Sequence, residues 1–330
     1  MKKTIIGLFA ALFFVSIAGC KINVGNGGGS GGEGNNSTNI VTFGTFPQSL
    51  KADGIDVNET DSKTVGSFTY YKGSDGEWYA KLESKYYKVE PIKWRVLTTN
   101  YDHDGNASTP GKKLLLAENI LINCMYYDYS NVNSNGNRTI GTATIYPNNY
   151  EHSRVRAYLN GLSYQVKAGD SETQEADESL VNKGFFQTAF TTQEQDAIAT
   201  TTVVNNARST NQDSNDKEWN NGANQYASDT PTSDKIFLLS EQEATKADYG
   251  FAAYDASGTG NTRIRMPTAF AKANGVFQNT TAGYGGGWWL RSPLYNNSSN
   301  SLLVVSSGHA HFTSSVRKDD GGVVPALCLN

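Results

Sequence analysis

Val41, Phe43 and Phe46 alternate with polar residues ahead of Pro47, which predicts a strand opening near Ile40. Short aromatic or branched runs follow at 68–71, 77–80, 86–89 and 92–97, separated by Gly73-Ser74-Asp75-Gly76 and by Pro91. That punctuation predicts a meander of hairpins. Residues 114–117 predict a further strand. The period then changes: Val155, Tyr158, Leu159 and Leu162 share one stripe of a helix that Ser153 can cap with its hydroxyl. Thr191 with Glu194 and Ser240 with Glu243 have the spacing of capping boxes, opening one helix that runs toward Ile198 and one that stops at Gly250. Residues 267–274, closed by Gly275, predict a fourth helix. Residues 205–229 are too hydrophilic for a core and too long for an ordinary connection, so they read as a surface insertion. No repeat of 20 to 50 residues is present, and the pattern predicts one α+β domain with helices flanking irregular antiparallel sheet.

The amino terminus follows different rules. Lys2 and Lys3 precede an apolar run over 5–17 that is too short to cross a bilayer and ends in Ala18 and Gly19. This is the pattern of a secretory signal over residues 1–19. Ile17-Ala18-Gly19-Cys20 resembles the lipobox of bacterial lipoproteins, and the resemblance implies lipidation of Cys20. Several acyl chains would then hold the protein to a membrane. After Cys20 the chain is rich in Gly and Asn up to residue 40, the composition of a flexible tether. The expected mature protein is anchored and held away from the lipid surface.

Composition narrows the partners. The 330 residues carry 28 Lys and Arg against 32 Asp and Glu, a net charge of −4, where a phosphate-binding surface needs a basic excess. A nucleic-acid partner is not expected. Of three cysteines, lipidation of Cys20 leaves Cys124 and Cys328, each between apolar neighbours and read as buried free thiols, although one disulfide between them stays open. Catalytic signals are weak. His309 and His311 could place two zinc ligands on one strand face, but exposed strand histidines are commoner. Asp102, Asp104 and Asn106 have calcium-loop spacing, with Lys113 where the twelfth-position glutamate belongs. No GxSxG, HExxH or GxGxxG is present. No cofactor is expected, and whether a metal is bound stays open.

The carboxy-terminal segment is the informative one. Trp288 and Trp289 directly follow three glycines, which predicts close backbone packing around large buried anchors. Residues 323–329 form an apolar closing strand. Between these walls the chain is rich in Ser and Asn. Strand parity places Val304, Ser306, Gly308 and Ala310 on one face, and Leu303, Val305, Ser307, His309, His311 and Thr313 on an exposed one. An exposed face mixing aromatic, aliphatic, His and Arg residues suits partner binding.

Six segments then carry a resemblance: Val41-Thr42-Phe43-Gly44-Thr45-Phe46-Pro47-Gln48, Pro91-Ile92-Lys93-Trp94-Arg95-Val96-Leu97, residues 153–160, Asp234-Lys235-Ile236-Phe237-Leu238-Leu239-Ser240, Trp288-Trp289-Leu290-Arg291-Ser292-Pro293 and residues 322–327. Over 41–330 the chain resembles a bacterial family of retroelement-diversified variable surface lipoproteins. The resemblance implies a C-type lectin fold of the formylglycine-generating-enzyme subtype and a variable ligand-binding region over about 288–330. It implies a scaffold of Trp288, Trp289, Arg291, Pro293, Gly322, Pro325 and Leu327. Parity adds the expected ligand-binding positions Tyr295, Asn296, Asn297, Leu303, Val305, His309, His311, Phe312, Arg317 and Asp319. The expected protein is a monomeric binder at the bacterial cell surface, in the outer membrane, with a host or bacterial protein or glycan as ligand. Alternatives are an extracellular oxidase of the formylglycine-generating type and a passive adhesion or wall component. The enzyme branch of the fold uses neighbouring cysteines, and Cys124 and Cys328 lie far apart in the chain, so no enzyme activity is expected.

Overall fold

The computed structural model describes residues 40–101, 111–127, 138–140, 143–167, 174–212, 231–294 and 297–330. The expected signal peptide, Cys20, the tether, Asp102, Asp104, Asn106, Tyr295 and Asn296 lie outside the described residues. What is described is α+β: mostly antiparallel strand with a few short helices.

Two sheets organise it. The larger has eight strands, in the order Ile236–Phe237, Ala326–Leu329, Lys113–Ala117, Lys85–Thr98, Trp78–Leu82, Phe68–Gly73 and Val57–Val65, with Ile40–Leu50 also paired to Lys85–Thr98. Trp94 pairs with both Val41 and Ala117, and Tyr87 with both Leu50 and Ala80. Lys85–Thr98 therefore carries Ile40–Leu50 along one edge, and Trp78–Leu82 then Lys113–Ala117 along the other. Pro91 does not divide this strand as the sequence pattern suggests. It sits opposite Thr45, where the partner's register shifts, a position at which a missing N–H breaks no regular ladder. Val57–Val65 is an additional strand that the pattern hides, because its residues are nearly all exposed and polar.

Three of the four expected helices start where expected; the fourth is Ala269–Ala273, capped by Thr268, because Pro267 belongs to a short strand paired with Ile120. Ser153 accepts from the Arg156 amide, and the capping boxes of Thr191 with Glu194 and Ser240 with Glu243 both form. Their ends are earlier. The first helix, Arg154–Asn160, stops at Gly161 in the left-handed region (φ 66°), so Leu162 falls outside the stripe and is exposed. The helix opened by Ser240 ends at Ala244, with a 3-10 turn before Gly250. In the region read as a surface insertion, Asn205, Thr210 and Asn211 are buried, which corrects that reading for its described part.

Aromatic rings fill the core beside Ile40–Leu50. Phe46 lies within 6 Å of the Phe68, Phe185 and Phe270 rings, and the Trp94 indole N–H donates to the Phe43 carbonyl over 2.7 Å. The second sheet has five strands, in the order Phe312–Ser315, Asn300–Val304, Trp288–Pro293, Gly322–Val323 and Ile122–Asn123. After Val323 the chain leaves this sheet and at Ala326 enters the larger one, so Val324 and Pro325 join the two.

Candidate functional site

The site begins with its floor. All six residues of Trp288–Pro293 are buried, which requires packed neighbours on both faces of the strand. The Trp288 indole N–H donates to the Arg263 carbonyl (3.2 Å), and the Trp289 indole N–H to the Cys124 carbonyl (3.1 Å). Both indoles thus have their polar atom satisfied inside the protein. A Cβ on Gly321 would lie 2.1 Å from Trp289 Nε1, so only glycine lets the following strand cross that ring.

Arg291, on the same strand, is 1% exposed and holds three elements together. It donates to the carbonyls of Val204 (2.8 Å) and Leu238 (2.7 Å) and forms a two-pronged ion pair with Glu243. The Tyr101 hydroxyl donates to the same carboxylate over 2.5 Å. Burial pushes the Glu243 carboxyl up, but the Arg291 guanidinium and its hydrogen bonds outweigh this and hold it below the usual range. Burial, with Glu243 alongside, pushes the Tyr101 phenol well up. The remaining expected scaffold residues, Pro293, Gly322, Pro325 and Leu327, are buried as well.

Above this floor the structure departs from the parity expectation. Residues 303–313 are not one strand: Asn300–Val304 ends in a turn, in which the Gly308 amide donates to the Val305 carbonyl (2.8 Å), and Phe312–Ser315 returns antiparallel. Gly308 takes φ 85° there. Arg263, fully buried, fixes the turn from below by donating to the Gly308 carbonyl (2.6 Å) and to the carbonyls of Ala252, Ala253 and Ala256. Leu303 is corrected from exposed to buried (6%): it pairs with Trp289 across the sheet and its side chain joins the hydrophobic core. Val305 is half-buried.

Phe312 is 51% exposed, and Asn297, Arg317 and Asp319 are exposed too. His309 and His311 are half-buried in the loop between the strands, not on a strand face. His311 Nδ1 lies 2.7 Å from Glu241 Oε1, whose side chain is fully buried, and the Tyr254 ring centroid is 5.5 Å from its own. Burial, and then the neighbouring His311 charge, lower the His309 pKa.

Between floor and hairpin lies a pocket of about 150 Å³, mostly apolar, lined by Gly287, Trp288, Trp289, Leu303, Val305 and Phe312 together with Phe277. Ser306, Ser314, Gly321 and the pair Lys318–Asp320 (2.9 Å) complete it. It brings together Leu303, Val305 and Phe312 of the expected face, while His309, His311, Asn297, Arg317 and Asp319 do not line it. Phe277, Glu241 and Arg263 were not expected at the site. Each comes from outside the carboxy-terminal segment, and nothing in its local sequence marks it as part of the site.

Cys124 and Cys328 are both buried and are not joined in a disulfide. Burial pushes the Cys328 thiol up to about 12. Among the described residues no group of three or more His, Cys, Asp or Glu side chains could hold a metal ion, and no helix is long and apolar enough to cross a membrane. Comparison with curated proteins and with solved structures returns no match. Residues 110–330, which contain the whole of the second sheet and the pocket, match the family model described as a domain of unknown function, DUF6273. On that match the chain belongs to the DUF6273 family.

Proposed function

We propose that this chain is a lipid-anchored surface protein whose carboxy-terminal segment, about 288–330, is an exchangeable recognition face, similar in kind to the Treponema variable protein. In this reading its domain is a C-type lectin fold of the formylglycine-generating-enzyme subtype, tethered through Cys20 to the outer membrane and acting as a monomer. The observation that carries it is how the segment divides. Trp288, Trp289 and Arg291 are rooted through partners outside it, at Arg263, Cys124 and Glu243, while Asn297, Phe312, Arg317 and Asp319 stand exposed. Side chains of the second kind can change while the first kind keeps the shape, since exposed substitutions typically move stability by no more than about 0.5 kcal/mol.

Cys328 is poorly suited to thiol chemistry. The thiolate is the reactive form, and a thiol pushed up to about 12 is almost entirely protonated at neutral pH. Nothing in the fold by itself selects a sugar as ligand.

The test is to exchange Asn297, His309, Arg317 and Asp319 together in several combinations and probe each variant on protein and glycan arrays and on host-cell extracts. The reading expects unchanged melting midpoints and a changed set of bound partners. An identical set for every combination, or silence throughout, rejects it. For the anchor, Cys20→Ser should abolish incorporation of labelled palmitate.

A further inference from the structure

The pocket beneath the hairpin says more about the ligand than the exposed residues do. Resting on the reading of this segment as a recognition face, we infer that the pocket takes one phenyl-sized aromatic side chain of a protein ligand. Its volume is about 150 Å³. An apolar cavity of that size is known to admit a benzene ring, whereas sites that enclose a whole small molecule run from about 300 Å³ upward. The space fits one anchoring group.

The lining decides which group. The indole N–H groups of Trp288 and Trp289 are turned inward to the Arg263 and Cys124 carbonyls, and the Gly287 carbonyl already accepts from the Gly322 amide. Leu303 and Val305 add only carbon. A sugar ring pressed against the indoles, Leu303 and Val305 would leave the hydroxyls on that side without partners, a loss that a hydrocarbon ring does not suffer. Phe277 and Phe312, 52% and 51% exposed, lie along the pocket where an incoming ring can meet them edge-to-face. Polar groups are also part of the lining: Ser306, Ser314 and the Lys318–Asp320 pair can meet the main chain that carries the anchor.

The arrangement also separates constant from tunable parts. The two indoles and Phe277 are not among the expected exchangeable positions, whereas Leu303, Val305 and Phe312 are. Exchange at those three would resize one pocket and leave its location unchanged.

The experiment uses the full chain and 4-fluorotoluene, followed by ¹⁹F line broadening, with N-acetylphenylalanine amide and N-acetylalanine amide as competitors. Binding of 4-fluorotoluene, displaced by the phenylalanine amide and not by the alanine amide, is expected. A Cβ at position 287 would sit 3.4 Å from Leu303 Cδ1, ordinary contact, so Gly287→Val should fill the pocket without unfolding the protein. It should weaken binding about tenfold or more. Should Gly287→Val not fold, Val305→Phe fills the same space and carries the same expectation. Absence of broadening, broadening unchanged in the folded filled variant, equal competition by both amides, or displacement by methyl N-acetylglucosaminide overturns the inference. None of these outcomes touches the array experiment, whose substitutions lie outside the pocket, so the two readings fail separately.

Discussion

Arg291 meets Glu243, 48 positions earlier in the chain, through both of its terminal nitrogens, and Glu243 also accepts from the Ser240 amide to cap its own helix. One carboxylate thus closes a local turn and neutralises a buried cation of the carboxy-terminal strand. Arg291→Ala leaves the Glu243 carboxylate buried without its counter-ion and should cost about 3–5 kcal/mol in urea unfolding. Arg291→Met combined with Glu243→Gln removes both charges and should recover most of the loss. A single variant as stable as the wild type would mean that the pair does not hold the strand.

Glu243 and His309 both contribute to the response to acid. The folded Glu243 carboxyl lies below its ordinary 4.5, so its contribution is complete above 4.5 and is lost as pH falls through the lower folded value. The folded His309 imidazole lies below its ordinary 6.5, so the unfolded chain takes up that proton first as pH falls. Stability therefore declines from 6.5 toward the folded value and then levels off. Melting midpoints scanned from about pH 8 to 3 should show both declines. His309→Gln should remove the upper one, and the Arg291→Met, Glu243→Gln double variant should blunt the lower one.

Substitutions in the floor and on the face should behave oppositely. Gly321→Ala drives a methyl into the Trp289 indole, and overpacking of this kind costs about 1–3 kcal/mol. Trp289→Ala should cost about 3–5 kcal/mol by opening a cavity. Phe312→Ala, on a half-exposed side chain, should stay within about 0.5 kcal/mol. Thermal unfolding of the three variants checks the order, and a Phe312→Ala protein as unstable as Trp289→Ala would contradict the division.

Cys328 should resist alkylation in the native protein, since burial keeps its thiol protonated. Iodoacetamide followed by peptide mass spectrometry should find position 328 unmodified until denaturant is added. Rapid native labelling would show that the closing strand opens readily.

What the amino-acid pattern reveals depends on range. The capping boxes at Thr191 and Ser240 are legible because both partners lie within four residues. The second duty of Glu243 is not, because Arg291 reaches it only through the fold. Parity read Leu303 as exposed because only Gly308 marks the turn, so the residues on either side look like one strand. Val57–Val65 escaped for the opposite reason: an edge strand with solvent-facing residues has no apolar period to detect. The Trp288 and Trp289 floor was legible from glycines beside large rings, but its Phe277 wall was not, since that residue belongs to a different stretch of chain.

Ala326–Leu329 lies inside the larger sheet, between Lys113–Ala117 and Ile236–Phe237, and it follows the Ser- and Asn-rich stretch along the chain. A chain ended early by a stop codon or shifted frame in the Ser- and Asn-rich stretch would expose two apolar strand edges at once, the kind of lesion that sends a product to aggregation or proteolysis. Reading through this strand thus acts as a folding checkpoint: only copies that stay in frame as far as Leu329 can close the sheet.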